Sequence, residues 1–164
     1  MTAEVKHEQI FVATALKAWD QWTERATKLF DSLSDEAMLT ELAPGKNRPI
    51  YLLGHLIAVH DAMFTQLRLG EAGYGHLWGQ FVKTPDNAAA ELPSIAELRK
   101  NWRDLSARLA ASFAELTPSQ WLERHSTISE EDFAKEPHRN RFAILLSRTS
   151  HLAYHMGQLV LHSK

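Results

Sequence analysis

The chain has 164 residues, enough for one domain with a sizeable core, and its 45% hydrophobic and 23% charged content is that of an ordinary globular protein. A formal net charge of −2, with acids interleaved among the bases of RHSTISEEDFAKEPHRNR, leaves no electrostatic footprint for nucleic acid or an anionic membrane. The absence of cysteine excludes disulfides, thiolate metal sites and a cysteine nucleophile.

The opening MTAEVKHEQIFVATALKAWD is charged and lacks an apolar signal core, and no apolar run approaches the ~18 residues of a membrane span. A cytoplasmic location is the expectation. From about Ala3 to Ser32, Leu16, Trp19, Trp22, Ala26, Leu29 and Phe30 recur at helical spacing, with Ile10 and Val12 continuing the pattern toward the start. LSDEAMLTELAPG reads as a short helical turn ended by Pro44 and Gly45. A second helix opens at Asn47, a capping residue, with Pro49 in its first turn, and runs to Gly70. A third is announced by Ser94 and Glu97 as a capping box and continues through Trp102, Leu105 and Phe113 to Leu116. The fourth spans roughly Asn140 to His162. No β pattern competes, which predicts an all-α four-helix bundle in a single domain, residues 1–164.

Between Gly70 and Pro93 the link is far longer than the ~2–8 residues that join antiparallel neighbours. It fits a crossover that leaves helices two and three parallel, an up-down-down-up order. It also fits a cover over a site at one end of the bundle. Tyr74, Trp78 and Phe81 within it need burial in either case. A second long link precedes helix four.

In helix four, His151 and His155 lie four residues apart and share a stripe with Arg148 and Gln158; His162 extends the row near the terminus. Imidazoles at i and i+4 can reach one metal ion, with a third ligand needed from another helix. Helix two offers His55, on a stripe with Tyr51, Ala58, Val59 and Ala62 that faces the core. His60 points about 140° away beside Asp61, toward the surface. The competing reading is that His55, His151 and His155 are satisfied core residues. Without an intervening glutamate, the pair is not the HExxH metalloprotease pattern. Gly54 and Gly157 are candidates for close packing near the site.

The segments LLGHLIAVHDAMF and NRFAILLSRTSHLAYHMGQLVLH, the second containing HxxYHxGQ as His151, Tyr154, His155, Gly157 and Gln158, resemble the DinB/YfiT-like superfamily of metalloenzymes. The likeness covers nearly the whole chain. It implies a four-helix bundle of up-down-down-up topology that binds a divalent ion, usually zinc or nickel, through His55, His151 and His155. Three imidazoles leave a coordination position open, as in catalytic rather than structural zinc sites. That position suits water, whose pKa a metal lowers toward ~7, or a substrate thiolate.

The resemblance points to S-transfer with a low-molecular-weight thiol such as bacillithiol or mycothiol as cosubstrate, with hydrolysis of a small molecule as the neighbouring possibility. Tyr51, Arg148 and Gln158 are the candidate substrate contacts. The partner expected is a small molecule, not nucleic acid or membrane, and related bundles often pair as homodimers. The alternative is a non-catalytic metal- or ligand-binding bundle with a structural or stress-response role, since no Asp or Glu lies on the histidine stripes.

Overall fold

A computed structural model describes residues 6–162. Four long helices carry the architecture: α1 (His7–Ser32), α3 (Pro49–Gln66), α4 (Ile95–Ala114) and α7 (Arg141–Val160), with the short α2 (Asp35–Leu39), α5 (Pro118–Trp121) and α6 (Glu130–Lys135) between them. No strand occurs among the described residues; Arg124 and Asn140 form an isolated bridge. The chain is therefore all-α. The expected start of the first helix near Ala3 lies outside the described residues.

Five of the described α-helices, all but α1 and α3, begin where a polar side chain meets orphan backbone donors. Ser34, Ser94, Ser129 and Asn140 accept from the backbone N–H groups of Ala37, Glu97, Asp132 and Ala143. The reciprocal capping box forms at Thr117 and Gln120. Helix α3 differs from expectation. Its N-cap residue is Arg48, not Asn47, and no side chain caps it. Pro49 replaces one orphan donor, and the Arg48 side chain leaves to pair with Asp86. The helix stops at Gln66, because Arg68 (φ 54°) and Gly70 (φ 133°) adopt left-handed backbone and reverse the chain. Helix α2 likewise ends at Leu39, before Pro44 and Gly45.

Helix α3 sits at the centre: fourteen of its eighteen residues are buried, so it has no solvent face. Helix α4 packs on it, with the Arg108 guanidinium 4.3 Å from the Phe64 ring centre. Helix α1 packs on both α4 and α7. Trp102 Nε1 donates to Thr27 Oγ1 (2.8 Å), and Arg99 donates to the Phe30 and Leu33 carbonyls at the end of α1. Trp19, Phe30, Trp102, Phe113 and Trp121 are the large rings of this core. Each such side chain removed from water contributes several kcal/mol at ~25 cal/mol per Å². Ile10 and Phe11, in the first turns of α1, remain exposed (49% and 66%); the stripe meets the core first at the half-buried Val12 and is buried from Ala15.

The link from α3 to α4 is a strap laid along α3 and pinned to it repeatedly. Asp61 accepts from the Gly73 and Tyr74 N–H groups (2.8 and 2.7 Å). A 3-10 turn (Gly75–Leu77) and a π-helical turn (Gly79–Lys83) then bury Leu77 and Phe81. Tyr51 donates its hydroxyl to the Thr84 carbonyl (2.6 Å), and Arg48 makes a two-pronged ion pair with Asp86, both side chains 8% exposed. Burial pushes the Asp86 carboxyl up, but Arg48 outweighs it and holds the group below its usual range.

Candidate metal centre

The strap fixes the first histidine. Gly54 faces Phe81 so closely that a Cβ there would come within 2.3 Å of a ring carbon, and this contact brings the Phe81 carbonyl against the next residue of α3. His55 Nδ1 donates to that carbonyl at 2.9 Å. A carbonyl oxygen only accepts, so the proton lies on Nδ1 and the Nε2 lone pair is turned inward. On α7, His155 Nδ1 donates to Gln158 Oε1 at 2.9 Å, and Gln158 Nε2 reaches the Tyr154 hydroxyl at 3.3 Å. The Nε2 atom of His155 is thereby turned inward as well.

The two meet the third histidine. His151 Nε2 lies 3.3 Å from His55 Nε2 and 3.0 Å from His155 Nε2. The potential ligand atoms of the three residues lie within 4.8 Å of one another, and no carboxylate belongs to the group. One proton on His151 Nε2 can point at one neighbouring lone pair; the other is left facing nitrogen. Tetrahedral zinc with Zn–N bonds of about 2.0–2.1 Å spaces its nitrogens about 3.3 Å apart. The donor set and its spacing thus fit a divalent ion, which would satisfy all three lone pairs together.

Electrostatics point the same way. All three imidazoles have pKa values below the ordinary 6.5, first because burial penalises the cation; the hydrogen bonds of His55 to Phe81 and of His155 to Gln158 offset this only in part, and repulsion from neighbouring basic groups adds to it. For His151, burial and the nearby His155, His55 and Arg148 bring it down to about 4. The rings are neutral near pH 7, the state in which imidazole is a ligand. His55 and His151 are half-buried and His155 is buried, so the cluster sits just below the surface.

The other residues singled out in the sequence fall around this cluster in different ways. Gln158 orients His155 and also walls a recess of about 350 Å³ with Leu42, Lys46, Asn47, Leu52 and Leu161. Tyr51 is buried with its hydroxyl engaged by the strap. Arg148 is half-buried, and its Nε is sealed from solvent without a hydrogen-bond partner. Tyr154 is 64% exposed. Gly157 has open space where a Cβ would stand, so it does not serve close packing. His162 bonds the Ala37 carbonyl instead of joining the cluster.

His60 corrects the sequence reading. It is 1% exposed, not at the surface, and lies between Trp19 and Trp102, with ring centroids 4.8 and 5.3 Å away. Helical angle measured against a helix with apolar residues all round could not distinguish its faces. The Phe81 carbonyl was also missed, since a backbone acceptor leaves no mark in composition or spacing. Its signal was Gly54, a residue that admits a close neighbour.

A family model described as the DinB superfamily matches residues 18–159, a span containing the three converging histidines. No curated protein matches the chain.

Proposed function

Because the chain belongs to the DinB superfamily, we propose that it is a divalent-metal-dependent enzyme acting on a small molecule, with His55, His151 and His155 as the metal ligands. The observation that carries the reading is the convergence of three neutral imidazole Nε2 atoms, spaced 3.0 and 3.3 Å, whose lone pairs no arrangement of protons satisfies together. A zinc or nickel ion held there would supply Lewis acidity toward a donor atom of the substrate. The chain's own contribution is orientation: the Phe81 carbonyl and the Gln158 amide hold two of the rings and fix their tautomers. The recess beside Gln158 is of a size for a small molecule.

Between the two chemistries, thiol transfer is favoured over hydrolysis. The imidazole cluster contains no carboxylate to serve as a general base for water, whereas a thiolate is itself the nucleophile and a soft ligand. With no cysteine in the chain, that thiol is a low-molecular-weight cosubstrate. The partner is then a small molecule; a net charge of −2 supports no role in binding nucleic acid, and among the described residues no helix is long and apolar enough to cross a membrane.

The same family reading gives one domain and an up-down-down-up order of the long helices. Contacts that support it pair the end of α1 with the start of α4 (Thr27 with Trp102) and the later turns of α3 with those of α4 (Phe64 with Arg108).

The test is consumption of a small electrophile by the zinc- or nickel-loaded protein, with and without bacillithiol or mycothiol. The expected result is turnover that requires the thiol and disappears in His55→Ala. Turnover of an ester without thiol would replace transfer by hydrolysis, and activity surviving in His55→Ala would remove the site from the chemistry.

A further inference from the structure

We propose that Arg148 is the anchor for an acidic group on the substrate, so that the site selects small molecules carrying a carboxylate a few bonds from the atom that meets the metal. This deepens the metal-site reading above and rests on it.

Arg148 stands three residues before His151 and seven before His155 on α7, on the same stripe. The helical rise puts it roughly 5–10 Å along the axis from the imidazole cluster. What sets it apart is the lack of a counter-charge. The other arginines with covered side chains are paired: Arg48 with Asp86, Arg99 with Asp35, Arg124 with Glu130, and Arg141 with Glu123. Arg148 has no acidic partner among the described residues, and its Nε is both sealed from solvent and unbonded. The covered carboxylates of α3 and the strap are committed elsewhere, Asp61 to the Gly73 and Tyr74 amides and Asp86 to Arg48.

A guanidinium remains charged at any physiological pH, and withdrawing it from water without a partner is costly. Its field reaches the site: Arg148 is among the charges that disfavour protonation of His55, His151 and His60, and burial draws its own pKa down. A divalent ion on three neutral imidazoles would add charge of the same sign. Nothing within the described residues neutralises this combination. A ligand that brings one donor to the metal and one carboxylate to the guanidinium does so, and the planar fork of arginine suits a carboxylate.

The test compares two thiols that differ only in the distal group, 3-mercaptopropionate and 3-mercaptopropionamide. Each is titrated into the full chain loaded with cobalt(II), and binding is followed by the thiolate-to-metal absorption band. The expected result is binding of the carboxylate about tenfold tighter than the amide in the wild type. In Arg148→Gln the two should differ by less than about twofold, with cobalt uptake unchanged, and in Arg148→Lys part of the preference should return. Melting of the metal-free proteins supplies the structural control: Arg148→Gln should melt at or above the wild-type temperature, because it removes an unpaired covered charge.

Equal affinities in the wild type, or a preference that persists in Arg148→Gln, would overturn the anchor while leaving the metal site standing. A lower melting temperature for Arg148→Gln would make Arg148 a structural residue and overturn the anchor too. Failure of the wild type to take up cobalt would overturn the metal site itself, and the anchor with it.

Discussion

Gln158 shows how much of the centre depends on a side chain outside the three imidazoles. Its Oε1 accepts from His155 Nδ1, and its Nε2 reaches Tyr154. Gln158→Leu keeps the volume and removes the acceptor, so His155 loses its fixed tautomer. Partners of this kind typically govern metal affinity by 10–100-fold, and a competition titration with a chromogenic chelator is expected to show weakening in that range. Unchanged affinity would mean that His155 is oriented by packing alone.

Protons act on the same residues. An imidazole in the unfolded chain titrates near 6.5, whereas His151 in the folded chain does so at about 4, and burial holds His60 well below its ordinary value. Between those values the unfolded chain binds protons that the folded chain refuses. Stability present above about pH 6.5 is therefore lost as pH falls toward 4. The metal-free protein is expected to melt lower at pH 5 than at pH 7.5, with a shallower dependence in His60→Phe. A melting temperature flat across that range would contradict the burial assigned to these rings. The pairing of His151 with His155 was legible in the sequence because i, i+4 spacing is a local property of any helix. The burial of His60 was not, because it is created by Trp19 and Trp102 arriving from two other helices.

Helix α3 and its strap form one unit, and the strap is where the first histidine acquires its orientation. The tightest point is Gly54 against the Phe81 ring. Gly54→Ala would gain helix propensity of roughly 1 kcal/mol, but the added methyl must displace a fully buried aromatic ring, and overpacking of that kind costs about 1–3 kcal/mol. The displaced Phe81 would also carry its carbonyl away from His55. A net loss of stability in urea together with weaker metal binding is expected; a stabilised variant with unchanged binding would separate the strap from the site. The sequence already marked this link as too long for a simple turn and its aromatics as needing burial. It could not show the 3-10 and π-helical turns, which arise from docking on α3 rather than from local propensity. The ends of α3 were also misplaced. Asn47 is an acceptable cap, but the ion pair of Arg48 with Asp86, 38 residues away, fixes where the helix begins.

Across the whole molecule, three Nε2 atoms from two helices face one another with more lone pairs than protons, and α1, α4 and the strap hold those helices in register. A ligand that binds only the folded chain stabilises it by RT ln(1 + [L]/Kd), about 2.7 kcal/mol at a hundredfold excess over Kd. The central claim is therefore open to one direct measurement: metal per chain by elemental analysis, on protein purified without a histidine tag, for the wild type beside His151→Ala. The expected result is about one zinc or nickel per wild-type chain and close to none in the variant. No metal in the wild type after zinc is supplied, or equal metal in both proteins, would contradict the site and return the three histidines to the core.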